Sequence, residues 1–164
     1  GDEGGTEDTG ESSTRTGIEM TAYYYLSDIF TLDAELAWTR AAFDRPVDGS
    51  TAIPGAMARV FSAGLNVDLG GGKFANLRLR HFGDYPLDGG ERAKGSTVAN
   101  MRFGYQASPK WSFVLDGLNL FDSSDHDVEY FYESRLANES MPVADHHFHV
   151  FEPRTVRFQA SYRY

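Results

Sequence analysis

Residues 155–164 alternate without a break. Val156, Phe158, Ala160, Tyr162 and Tyr164 fall on one parity, and Thr155, Arg157, Gln159, Ser161 and Arg163 on the other. Successive side chains of a strand point to opposite faces, so this period of two makes a strand with one apolar and one polar face; a helix would mix the two sets. The pattern recurs upstream. Ile18, Met20, Ala22, Tyr24 and Leu26 share a parity, as do Phe30, Leu32, Ala34, Leu36 and Trp38, and then Phe61, Ala63, Leu65, Val67 and Leu69. Shorter runs follow at Ala75, Leu77 and Leu79, at Ala99, Met101, Phe103 and Tyr105, and at Trp111, Phe113 and Leu115, where Val114 breaks the alternation. After Gly117 the phase blurs, which predicts a bulge or bend.

Seven long strands result, joined by two kinds of connection. Ser27-Asp28-Ile29, Gly70-Gly71-Gly72 and Ser108-Pro109-Lys110 are tight; 44–56, 84–95 and 122–149 are long, and the two kinds alternate. In an up-and-down meander, alternate connections lie on the same side of the sheet. The expected fold is therefore all-β, an antiparallel up-and-down meander of about seven long strands forming part of a transmembrane β-barrel, with short turns on one side and long loops on the other. Phe30 and Trp38 lie on one face eight residues apart. At about 3.4 Å per residue and a tilt of about 40° this is roughly 20 Å along the membrane normal, close to the height of the apolar band between two aromatic girdles.

Charge supports the same division. The chain has a net charge of -9, yet residues 1–13, 44–56, 84–95 and 122–149 together carry -13, which leaves +4 on the rest. On the polar parity of the strands Glu19, Asp33, Glu35, Asp68 and Asp116 face Arg78, Arg80, Arg102, Arg157 and Arg163. Such a balanced set suits a wet lumen and is costly in a dry core. The acidity excludes a nucleic-acid partner. The absence of Cys removes disulfides, thiolate metal sites and cysteine catalysis, and no apolar run is long enough for a transmembrane helix. A soluble antiparallel sheet with one face on a core is the simpler alternative.

Gly117-Leu118-Asn119-Leu120-Phe121-Asp122 resembles the signature near the end of TonB-dependent outer-membrane receptors, and 154–164 resembles their terminal strand with its final aromatic. Arg80-His81-Phe82-Gly83-Asp84-Tyr85-Pro86-Leu87 and the stretch from His147-Phe148-His149 to Glu152-Pro153-Arg154 are also similar to that family. The resemblance implies a ligand-gated active transporter with an N-terminal plug inside a barrel of twenty-two strands. It implies no cofactor and no enzyme activity. It places the chain in the bacterial outer membrane, with the TonB complex (through a plug not present here), the barrel-assembly machinery, lipopolysaccharide and a nutrient ligand as partners. On this reading residues 1–14 are an acidic outer-loop segment and 15–164 are the C-terminal strands of a barrel whose plug and earlier strands are absent. The nutrient would be a siderophore, cobalamin or an oligosaccharide. A small stand-alone barrel, with 126–135 as an eighth strand, and a soluble β-sheet binding module are the alternatives.

No catalytic pattern is present. Tyr130 and Tyr132, set between Glu129 and Glu133, are candidate ligand contacts, and Arg80 is a third. Asp145-His146-His147-Phe148-His149 raises a metal reading, but hydrogen-bonding surface histidines are the expectation, with His146, His147 and His149 as weak candidates only. Asp122 to Asp127 lacks the spacing of the common calcium loop. A tight 108–110 turn sets Arg102 opposite Asp116 as an ion pair on the lumen side. Across the 44–56 loop, Trp38 is expected opposite Phe61, and Arg40 opposite Arg59, where a lipopolysaccharide phosphate would bridge two like charges. Phe158, Tyr162 and Tyr164 are expected to form the terminal assembly signal, the main chain adding to a sheet edge while alternate side chains enter apolar pockets.

Overall fold

A computed structural model describes residues 10–164. In chain order the strands are β1 (Ser13–Tyr25), β2 (Phe30–Val47), β3 (Ser50–Ala52), β4 (Arg59–Gly70), β5 (Lys73–Phe82), β6 (Tyr85–Pro86), β7 (Arg92–Ala93), β8 (Ser96–Gln106), β9 (Trp111–Leu118), β10 (His126–Ser134), β11 (Val143–Val150) and β12 (Thr155–Tyr162), with one 3-10 turn at Asp88–Gly90. Seven of them form an antiparallel wall in the order β1-β2-β4-β5-β8-β9-β12, with β3 beside the end of β2. Chain order is spatial order, so the architecture is an open all-β meander. Of the acidic segment 1–14, residues 1–9 lie outside the described residues, and Ser13 and Thr14 already pair with Phe43 and Ala42 of β2.

The tight turns hold the wall in register. Gly70, Gly71 and Gly72 all have positive φ (68°, 58° and 75°), a run that only glycine makes without a Cβ clash. Between Ser108 and Lys110 the amides of Ala107 and Ser108 both donate to the Trp111 carbonyl. This places Gln106 opposite Ser112 and Arg102 opposite Asp116.

One face of the wall is apolar and uncovered. Met20, Leu36, Phe61, Leu77 and Met101 all lie on it, more than a third exposed, and among the described residues no large side chain is fully buried. Among the described residues nothing packs over this face. A soluble sheet of this size buries one face on a core; an outward face meeting lipid needs none, and each Leu- or Phe-sized side chain moved there from water contributes about 1.5–3 kcal/mol.

The opposite face carries the charge, and its centre depends on a glycine. Asp33 of β2 pairs in register with Gly64 of β4, and Gly64 with Arg78 of β5. The Arg78 guanidinium crosses over Gly64 to grip both Asp33 oxygens, at 2.6 and 3.1 Å. A Cβ on Gly64 would stand 2.5 Å from Asp33 Oδ1 and 2.7 Å from Arg78 Nη2. Asn66 donates to Asp33, Asn76 donates to Asn66, and Arg78 also donates to Ser62. Asp33 is thereby buried at 7% exposure with its oxygens satisfied.

The structure corrects two expectations. The long connections fold: the last one, extended by a residue to 122–150, contains the β10–β11 hairpin, which forms its own two-stranded sheet, so 126–134 is a strand but not an eighth wall strand. Across the first long connection Trp38 lies opposite Arg59, and Phe61 opposite Leu36, so Arg40 and Arg59 are two residues out of register. Counting inward from both ends of a loop assumes symmetry. Here β2 runs on to Val47 and turns at Asp48-Gly49 into β3, while the Gly55 amide is held by the Pro86 carbonyl.

Gly64→Val should force the Asp33–Arg78 pair apart and cost about 2 kcal/mol. Urea unfolding of the full-length protein in lipid vesicles measures it. The same substitution made on an Asp33→Ala background should cost little more, because the pair it disrupts is already gone.

Candidate functional site

The long connections meet at one rim and build a small folded cap. Tyr85, Leu87 and Ala93 form its core, with Met57 and Phe131 packed against it. These residues come from three separate connections. The Tyr85 hydroxyl accepts from the Glu129 amide at 2.8 Å and donates to the Glu129 carbonyl at 3.2 Å, which fixes β10 to the 84–95 excursion. Gly89 closes the contact from the other side: a Cβ there would lie 2.9 Å from the Phe131 ring.

β10 and β11 pair so that Glu129, Phe131, His146 and Phe148 share the face turned to this core, and Tyr130, Tyr132, Asp145, His147 and His149 share the other. On the inner side the Glu129 carboxylate is buried between two imidazoles. His126 Nδ1 lies 3.0 Å from one oxygen and His146 Nδ1 2.5 Å from the other. His146 Nε2 also faces Glu91 at 3.7 Å, and His126 stacks on Phe148 with centroids 3.7 Å apart. Burial alone would raise the Glu129 carboxyl, but the two imidazole hydrogen bonds outweigh it and hold the group below its ordinary value. Burial raises the Tyr85 phenol, which stays protonated and able to donate.

The cap is tied to the wall at Asn119, which has φ +48° and is 3% exposed. Its amide donates to Asn100 Oδ1, its Nδ2 donates to the carbonyls of Ser123 and Glu152, and its Oδ1 accepts from the Ser123 amide. Asp122 then accepts from the Arg154 amide. Asn119 and Asp122 of the Gly117–Asp122 signature thus clasp the two ends of the excursion that holds β10 and β11. The sequence marked these residues without giving them this task.

Tyr130 and Tyr132 sit on the outer face of the hairpin, each about half exposed. Tyr132 stacks on His147 at 3.9 Å, over an Nε2 that is buried without a hydrogen bond. Arg80 is on the polar face of the wall, opposite Ser62 and Val98, and no described hydrogen bond joins it to either tyrosine. His146 lies on the opposite hairpin face from His147 and His149, because adjacent strand residues point apart. Among the described residues no group of three or more His, Asp or Glu is placed to hold a metal ion.

Arg102 grips both Asp116 oxygens, at 2.6 and 3.1 Å. Arg59 does not face Arg40; it donates to Asp84, which also accepts from Arg92. Arg92 first, and then Arg59, hold the Asp84 carboxyl below its ordinary value. Phe158 stacks on Phe113, Tyr162 lies tilted against Trp111, and Tyr164 is edge-on against Tyr162.

No family model matches the sequence, and no curated protein does either. Solved structures do match. The ferric-catecholate import receptor Fiu from E. coli K12 superposes with TM-score 0.67 at 19% identity over 92% of this chain. The ferric yersiniabactin uptake receptor FyuA from Yersinia pestis gives 0.68 at 21% over 92%, and the copper transporter OprC 0.65 at 18% over 93%. The chain spans between 21% and 24% of the length of these proteins. At such identities the likeness establishes the fold, a segment of a β-barrel wall.

A depressed carboxyl contributes stability that is present above its unfolded value and is lost as pH falls through its folded one. The Glu129 contribution to the cap should therefore be held from neutral pH to about 4.5 and disappear below it. Hydrogen exchange of 126–150, corrected for intrinsic rates, should show this loss of protection. Glu129→Gln should weaken the cap by about 1–2 kcal/mol at pH 7 and remove the further loss on acidification.

Proposed function

We propose that this chain forms C-terminal wall strands and an outer cap of a TonB-dependent receptor in a bacterial outer membrane, which takes up a scarce nutrient. One observation carries the reading: a sheet with an uncovered apolar face and a charged, internally paired face, with folded connections at only one rim. Lipid on one side and a wet lumen on the other satisfy both faces, as neither does alone. The plug and the other strands would belong to the rest of the receptor, and the chain alone would transport nothing.

The matched receptors import ferric catecholate and ferric yersiniabactin, and the matched transporter carries copper. A metal chelate is therefore the proposed ligand, ahead of cobalamin or an oligosaccharide. Tyr130 and Tyr132 offer aromatic faces beside the acids of the cap, and Arg80 offers an exposed cation on the polar face. TonB would supply energy through the plug, and the assembly machinery would read Phe158, Tyr162 and Tyr164 at the end of the chain. At the long-connection rim, lipopolysaccharide would meet Arg40 and the Arg59–Asp84–Arg92 set rather than an opposed arginine pair.

Cells carrying the full-length gene should accumulate at least one ferric or copper chelate from a labelled panel. Accumulation should stop when the proton-motive force is collapsed. Gene-dependent flux that persists without that force would point to a passive pore instead. Tyr130→Ala with Tyr132→Ala should weaken chelate binding at least tenfold and leave assembly unchanged.

Tyr164→Ala tests the terminal signal. Refolding of purified full-length protein into detergent should remain within about 1 kcal/mol of the parent, while the amount reaching the outer membrane in cells falls several-fold. Assembly at the parental level would make Tyr164 an interfacial anchor only.

A further inference from the structure

The outward face of the wall is uncharged between its rims. At the short-turn rim it gains two charged side chains, both positive. Lys73 Nζ lies 5.4 Å from the centroid of the Tyr105 ring, and Lys110 Nζ lies 5.9 Å from that of Tyr162. Neither lysine has an ion pair among the described residues, although the chain as a whole is at -9. Of the acids nearest that end, Asp28 lies in a turn and Asp68 on the polar face.

The aromatic residues around these lysines form one connected surface. Trp111 and Tyr162 meet at 4.9 Å, Tyr162 and Tyr164 at 5.7 Å, Trp111 and Phe113 at 6.0 Å, and Phe113 and Phe158 at 6.2 Å. Trp111 and Tyr162 remain nearly half exposed. A ring that shares its area between an apolar phase and water belongs at headgroup depth. An ammonium resting over such a ring is held at that depth with its remaining N–H groups free.

Resting on the outer-membrane reading, we propose that this rim is a docking surface for anionic phospholipid headgroups of the adjoining leaflet, with Lys73 and Lys110 meeting the phosphates and Trp111 and Tyr162 lying against the glycerol region. The charge complementarity is nearly one-sided: two lysines on the outward side and no acidic side chain there, with the carboxylate of Tyr164 as the single anion. By residue and strand spacing the lysines are roughly 14 Å apart at Cα, so they act as two point charges on one annulus of lipid. A lysine near an anionic surface favours it by about fivefold.

The test uses the full-length protein in lipid vesicles and the emission that Trp111→Phe removes. Brominated phosphatidylglycerol and brominated phosphatidylcholine are compared as quenchers at equal mole fraction. The expected result is stronger quenching by the anionic lipid, with an apparent enrichment of about fivefold for each lysine. That preference should vanish in Lys73→Gln with Lys110→Gln, while phosphatidylcholine quenching stays as before. Equal quenching by the two lipids in the parent, or a preference that survives in the double variant, overturns the proposal and leaves the membrane reading standing. Quenching by neither lipid would show that the outward face does not meet lipid, and would overturn both.

Discussion

Met20, Leu36, Phe61, Leu77 and Met101 are covered by none of the described residues, while Asp33, Arg78, Arg102 and Asp116 occupy the other side of the wall. The two faces of the wall cannot share one solvent. Strand geometry enforces the separation, because every residue step reverses the direction of the side chain. A slip of one residue would carry the arginines to the apolar side. The rest of the structure follows from keeping that register: tight turns that allow one pairing, antiparallel neighbours throughout, and extra structure confined to one rim.

The charges of the inner face differ in worth. Arg102–Asp116 and Arg157–Glu152 are well formed, but their side chains reach solvent, and pairs of that kind contribute about 1 kcal/mol or less. Asp33 is buried, so loss of its partner would strand a charge away from water. Its position explains why four other side chains are engaged around it. In the cap, Glu129 solves the same problem with two imidazoles. There the apolar area is small, and the clamped carboxylate with the Tyr85 hydroxyl supplies much of the order that a larger core would supply elsewhere.

What the sequence showed was whatever is local. The parity of all seven wall strands is visible because it repeats every two residues, and the Arg102–Asp116 register is visible because a three-residue turn leaves few choices. The Trp38–Arg59 pairing was not, because a long connection does not constrain register. Tyr85, Leu87, Ala93, Met57 and Phe131 lie on three connections, and none of these has enough apolar residues to show a period. The role of Gly64 was hidden for another reason. A glycine on the polar parity looks like a weak strand residue until Asp33 and Arg78 are known to flank it. Likewise His126 and Glu129, three apart, gave no sign that His146 completes the set.

The bridge over Gly64 joins strands that are not neighbours, and this has a mechanical consequence. A load applied along the sheet meets β2, β4 and β5 as one stiff plate, since sliding either outer strand must also break the Asp33–Arg78 link. The seams β1–β2 and β9–β12 have no such tie between non-neighbouring strands among the described residues, only backbone ladders and side-chain contacts between adjacent strands, such as Thr14 with Asp44 and Phe113 with Phe158. Deformation of the wall would therefore concentrate at its margins, leaving the middle to move as a hinge leaf.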